Sequence, residues 1–285
     1  MEDANPTIKE LAIRLLWENP SFDLMQKFLN LVSAKEETLA ATAASALGNY
    51  VYLGEVEELP QSKYEMVIEG LFDIYNSTAP KLVRRRALES LGFANLDEVK
   101  EAIQVAYESG DKEWVISALY AMGRSLDDIW NPAILLNLKN KDSEIRFEAI
   151  RAAGEMELNA ARPDLMMLLK DRELDKEIRF ITIWALSRIG GEGVRELLEL
   201  LSRQVEDDEE AEILDDALEY MDFCEGVSLG ELFSIDQDNL NEITGDQIVE
   251  DLLDNLDQEN LNKSSEEENS EETRHQRKRH KKHGD

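Results

Sequence analysis

Five twelve-residue segments of this chain superpose without an internal gap, and nothing else in the sequence restricts the fold as strongly. They are ETLAATAASALG (37–48), KLVRRRALESLG (81–92), KEWVISALYAMG (112–123), SEIRFEAIRAAG (143–154) and KEIRFITIWALS (176–187). Their last residues lie 44, 31, 31 and 33 positions apart, a spacing that suits a repeat of two helices. A degenerate sixth copy, AEILDDALEYMD, occupies 211–222. Within the clearest copy Ile145, Ala149, Ile150 and Ala153 recur at intervals of three and four, which places them on one stripe of a helix. Small residues hold one place throughout: Ala43, Ala87, Ala118 and Ala149, with Thr182 and Ala217 in the matching later places. A small side chain there lets the next helix come close, and a larger one would overpack the contact at roughly 1–3 kcal/mol.

The rest of each repeat follows from the same periodicity. Amphipathic second helices are expected over 96–108, 132–139, 163–170 and 194–203, with Pro132 and Pro163 in the first turn, where a missing N–H costs nothing. Residues 7–17 and 22–32 read as an opening pair and 61–76 as a further second helix. A long loop over 50–60 is expected to account for the 44-residue interval. The glycines that close four copies, Gly48, Gly92, Gly123 and Gly154, are expected at helix C-termini in a left-handed conformation. Neither helix of a pair can bury its stripe alone, so the copies must stack. The expected fold is all-α: an α-solenoid of stacked helix pairs over 5–223, followed by an acidic region (224–258) and a disordered C-terminal tail (259–285).

Composition then limits the chemistry. All three histidines, His275, His280 and His283, lie in the last eleven residues. A folded body without histidine excludes Ser-His-Asp and Cys-His catalysis and histidine-ligated zinc or iron. The single cysteine, Cys224, can form no internal disulfide and no multi-cysteine zinc site, and is expected to be a small buried apolar residue. No cofactor and no metal is expected. Of the net charge of −31, residues 204–258 contribute −20, from 20 acids and no base. The tail is balanced, and the body is left with −11. This sign opposes phosphate-backbone binding by the body and leaves nucleic acid only to the tail. No apolar run is long enough to span a membrane, and the opening Met1-Glu2-Asp3 carries acid where a signal peptide carries base, so a cytoplasmic protein is expected.

At SEIRFEAIRAAG and KEIRFITIWALSRIG the chain resembles the HEAT-repeat family, in particular the short variant named after phycobilisome lyases. The resemblance covers residues 80–203 most clearly. It rests on Asp142 before Ile145-Arg146, Asp175 before Ile178-Arg179, and Arg84 after Val83. The family implies that Arg84, Asp142, Arg146, Asp175 and Arg179 form a structural ladder between neighbouring repeats. It also implies a non-catalytic protein-interaction scaffold or assembly factor whose second helices line a concave face. The candidates for that face are Glu101, Gln104, Asp164, Met167, Glu196 and Glu199, beside the apolar stripes, with another protein as partner. A lyase or lyase subunit acting on a protein-bound cofactor is the alternative that the variant's name suggests. An accessory factor tethered to nucleic acid by its tail is the other. The deoxyhypusine-hydroxylase version fails because the body lacks His-Glu pairs, and a DNA-glycosylase version would need a basic groove.

Two further stretches follow the repeats. Asp236 to Gln247 has the outline of a calcium loop but places Leu240, Asn241 and Gln247 where an acid or amide ligand, the glycine and the bidentate glutamate belong. Ile248, Leu252, Leu253 and Leu256 share one helical face with acids opposite. That segment either caps the array or fits a partner's groove. The tail ends in a basic cluster, Arg274, Arg277, Lys278, Arg279, Lys281 and Lys282, suited to an anionic surface or to the chain's own acids.

Overall fold

The computed structural model describes residues 5–16, 20–171 and 173–232, with side chains described continuously to Cys224 apart from 17–19 and 172. Among these residues there are thirteen α-helices and no strand. They are α1 (Pro6–Leu15), α2 (Phe22–Leu31), α3 (Glu37–Glu55), α4 (Gln61–Asn76), α5 (Lys81–Leu91), α6 (Asp97–Glu108), α7 (Lys112–Ser125), α8 (Asn131–Asn137), α9 (Ser143–Glu155), α10 (Arg162–Leu168), α11 (Lys176–Ile189), α12 (Val194–Ser202) and α13 (Asp208–Leu232). The chain divides into compact units Met1–Cys224 and Glu225–Asp285, and only the last turns of α13 represent the second. The calcium-like stretch, the 246–256 segment, the histidines and the basic tail lie outside the described residues.

Local chemistry sets the helix boundaries. The side chains of Asp111, Asp142 and Asp175 accept hydrogen bonds from the first free N–H groups of α7, α9 and α11, which satisfies donors that no intrahelical carbonyl reaches. Pro132 and Pro163 sit in the first turns of α8 and α10. The second helices α8, α10 and α12 are short, with 7, 7 and 9 residues, and α3, α5, α7, α9 and α11 pack one on the next as a continuous layer. The small-residue series lies inside that layer. Ala43, Ala87, Ala118, Ala149 and Thr182 are fully buried and Ala217 nearly so.

Three sequence expectations need correction. The four glycines do not end helices in a left-handed conformation. Gly48, Gly123 and Gly154 lie inside α3, α7 and α9, and Gly92 caps α5 with φ −54°. Their missing Cβ permits contact between helices. A Cβ on Gly92, Gly123 or Gly154 would stand 2.7, 2.9 or 2.8 Å from the Cα of Ala121, Ala152 or Ala185 on the next first helix. The left-handed positions fall beyond the helix bodies, at Glu57, Leu126 and Glu157. The long loop over 50–60 is also absent. α3 continues to Glu55, and its 19 residues take up the extra length of that repeat. Cys224 is exposed on α13 rather than buried, because no described helix packs over that turn of α13.

Candidate binding face

The first-helix layer is held at its N-terminal edge by a ladder of lysines. Lys81, the first residue of α5, reaches Asp111 and Glu113 of α7 at 2.7 and 2.5 Å. Lys112 repeats the contact with Asp142 and Glu144 of α9 at 2.8 and 2.7 Å. Lys176 does the same with Asp207 and Glu209 at 3.0 and 2.8 Å. Hydrogen bonds and charge from these partners lower the carboxyl pKa values of Asp111 and Asp142 and raise those of the lysines, while that of Asp207 is lowered first by the Glu210 backbone N–H and then by Lys176. The corresponding place in α9 is Ser143, facing the turn where Asp175 and Glu177 begin α11, and the ladder breaks there. Ser143→Lys should complete it. The expected result is a higher unfolding midpoint at low salt, with a gain that fades toward ~1 M salt, where screening shortens to ~3 Å. A gain independent of salt would mean that helix propensity, not the ladder, had changed.

The residues assigned to a ladder by resemblance divide into two tasks. Asp142 and Asp175 cap helices, and Asp142 pairs with Lys112 rather than with an arginine. The arginines reach back to the preceding repeat. Arg84 donates from Nε to the Tyr75 carbonyl at the end of α4, at 2.8 Å, and lies over the Trp114 ring. Arg179 donates to the Leu169 and Asp171 carbonyls after α10 and from Nε to Glu210 of α13 at 2.6 Å. Both therefore place positive charge on the carbonyl end of a second helix. The Nε of Arg146 is buried and makes no hydrogen bond.

A run of rings and guanidinium groups lies across the C-terminal halves of the first helices, where sequence reasoning placed no site. Tyr52 and Phe93 meet edge to face at 5.8 Å between centroids. Arg124 lies over Phe93 and Tyr120 at 5.0 and 5.3 Å, and Arg151 over Tyr120 at 4.0 Å. Arg188 lies over Tyr220 of α13 at 4.8 Å. Arg151 also pairs with Glu148 and Glu155 of its own helix, with all three side chains less than a fifth exposed. A cavity of about 820 Å³ runs beneath this face from Tyr52 past Phe93 and Arg124 to Trp184 and Arg188, touching α3, α7, α9 and α11. It draws its lining from the C-terminal ends of several first helices. Backbone-to-backbone contact at the glycines draws the first helices together.

The six residues expected to line a concave face lie on the second helices α6, α10 and α12. Glu101 and Gln104 are exposed on α6, Met167 on α10 and Glu196 on α12. Asp164 is paired with Lys139 at 2.8 Å and Glu199 with Arg203 at 3.2 Å. None lines this cavity. No described helix is long and apolar enough to cross a membrane, and no group of three or more His, Cys, Asp or Glu among the described residues could hold a metal ion.

Glu148 gives the face a pH signature. Desolvation raises its carboxyl above the usual 4.5, and the Arg151 charge beside it only partly offsets this. The folded chain therefore holds this proton more tightly than the unfolded chain. Stability from this group is greatest below pH 4.5 and is lost as pH rises through the elevated folded value. Glu148→Gln should remove that slope between pH 4.5 and neutrality. An unchanged difference in stability between the two pH values would contradict the assignment.

Comparison with known proteins matches residues 131–221, from α8 into α13, to the family model described as HEAT repeats. Similar solved structures include an engineered protein, 21% identical, with 71% of this chain and 97% of that chain covered and a TM-score of 0.40. The Escherichia coli protein YibA is 16% identical, with coverage of 78% and 89% and a TM-score of 0.44. Human deoxyhypusine hydroxylase in complex with glycerol is 14% identical, with coverage of 78% and 82% and a TM-score of 0.40. No curated protein matches the sequence.

Proposed function

We propose that this chain is a non-catalytic protein-interaction scaffold or assembly factor that holds its partner on the first-helix layer. The observation that carries this reading is the run of Tyr52, Phe93, Arg124, Tyr120, Arg151 and Trp184 over successive repeats. Tyrosine, tryptophan and arginine dominate the binding energy of protein interfaces, because each offers a large apolar body with a polar handle. Polar atoms at the cavity support it as well: Arg124 Nε, Arg188 Nε and Glu155 Oε2 are buried and make no hydrogen bond within the protein. The repeat subtype is read as the short, phycobilisome-lyase-like variant, on the Asp-then-Ile-Arg pattern at Asp142 and Asp175.

The test is affinity capture from the native cell with paired charge reversals. Arg124→Glu with Arg188→Glu, both about a third exposed, should abolish recovery of the partner. Glu101→Lys with Glu196→Lys on the second helices should not affect it. The opposite pattern would return the binding face to the second helices.

A further inference from the structure

The last interface of the first-helix layer breaks the rule that builds the others. Each closing residue meets the residue two places before the end of the next copy: Gly48 meets Ser90, Gly92 meets Ala121, Gly123 meets Ala152 and Gly154 meets Ala185. The corresponding pair between α11 and α13 is Ser187 and Tyr220. Two residues that allow backbone contact are replaced by a hydroxymethyl group and a phenol ring. Both line a cavity of about 640 Å³ between the two helices. Its other walls are aromatic and aliphatic: Phe147, Phe180, Trp184 and Ile213. All four are only partly buried, so the groove presents apolar surface to solvent.

The rim carries two carboxylates against one guanidinium, that of Arg188. Glu177 and Asp216 border the groove, and Glu212, Asp215 and Glu219 are exposed along α13. None of these five has an ion pair among the described residues. The nearby cations are engaged: Lys176 by Asp207 and Glu209, and Arg188 over Tyr220 with Glu157 at 3.8 Å. An occupant must therefore bring large apolar side chains for the floor and positive charge for the rim. Two adjacent helices that fail to close leave a groove shaped for a third. The chain's own remaining sequence lacks that combination. Residues 246–256 offer apolar side chains among acids, and Arg274 to Lys282 offers bases with no apolar side chain.

We infer that the groove between α11 and α13 binds a basic amphipathic helix of another protein, its apolar face seated against Trp184, Phe180 and Tyr220 and its bases facing Glu177 and Asp216. This deepens the scaffold reading by naming the kind of partner that the C-terminal end of the layer takes.

The test uses the full chain labelled with a dye at Cys224, the single cysteine, exposed one turn beyond Tyr220. The probes are two 18-residue helical peptides with identical leucine positions, one with lysine and one with glutamate at the polar positions. The lysine peptide should bind at least about tenfold more tightly at low salt, and the difference should shrink as salt rises. Glu177→Lys with Asp216→Lys should remove that preference without unfolding the chain, since both side chains are exposed. Ser187→Gly with Tyr220→Ala restores the small-residue contact. It should draw α13 onto α11 and abolish binding while the unfolding midpoint holds or rises.

Equal binding of the two peptides, or binding that survives the groove-closing pair, would overturn the inference. So would equally tight binding of a peptide copying residues 246–256, which would assign the groove to the chain itself. If charge reversal at Arg124 and Arg188 abolishes partner capture yet neither peptide binds, the scaffold reading stands and this groove assignment alone falls.

Discussion

Arg151→Met is expected to destabilise the array by about 3–5 kcal/mol, the usual cost of removing one member of a buried ion cluster. Arg151 is 11% exposed and serves two carboxylates, Glu148 at 16% and Glu155 at 17%, besides donating to the Tyr120 carbonyl at 3.2 Å. Methionine fills much of the same volume, so the loss comes from Glu148 left without a counter-charge, and Glu155 left with only Arg124 at 3.5 Å, in a poorly solvated place. Adding Glu148→Met and Glu155→Leu should recover most of it, because the desolvation cost leaves with the charges. Arg203→Met provides the contrast. That guanidinium is 76% exposed and pairs with Glu199 across one helical turn, and its removal should change stability by no more than about 0.5 kcal/mol. Denaturant midpoints of these variants check the whole set. A cost for Arg151→Met no greater than that for Arg203→Met would show that the cluster is solvated and of no structural consequence.

Gly123→Ala should also destabilise, against the usual sign. In an open helix, replacing glycine by alanine stabilises by about 1 kcal/mol. At Gly123 the new methyl would lie 2.9 Å from the Cα and 3.0 Å from the Cβ of Ala152. Backbone on the facing helix cannot swing aside as a side chain can, so the interface must open, at a net cost of about 1–3 kcal/mol. Gly92→Ala and Gly154→Ala meet the same obstacle at 2.7 and 2.8 Å. Gly226→Ala, with nothing within 4 Å of its would-be Cβ, should show the ordinary gain. Thermal or denaturant unfolding of the four variants gives the comparison, and a uniform gain would contradict close approach in the first-helix layer.

Much of this architecture is legible in the sequence because the repeat is strict where backbones touch. Ala43, Ala87, Ala118, Ala149, Thr182 and Ala217 were identifiable from spacing alone, and all lie inside. The glycines were harder. One that ends a helix and one that lets two helices cross have the same local context, and only the neighbouring helix separates them. α3 reads as a helix followed by a loop because Gly-Asn follows its apolar stripe, yet packing on α4 and α5 carries it on to Glu55. The lysine ladder had a signal in Lys81, Lys112 and Lys176 at the head of successive copies, which periodicity of apolar residues cannot register. The run of rings and guanidinium groups was missed for a similar reason. Tyr120, Arg151 and Trp184 occupy one place in their copies, and three unlike residues look like surface variation until the fold aligns them. Ser187 and Tyr220 were visible as departures from the repeat, but a departure becomes a groove only when the contact it replaces is known.

Site-specific photo-cross-linking in the native cell decides most directly which layer holds the partner. A photoreactive residue is placed singly at Tyr52, Arg124 and Trp184 on the first helices, and at Gln104, Met167 and Glu196 on the second. The same partner protein should be captured from at least two of the first three positions and from none of the others. Capture from the second-helix positions alone would contradict the placement of the binding face on the first-helix layer.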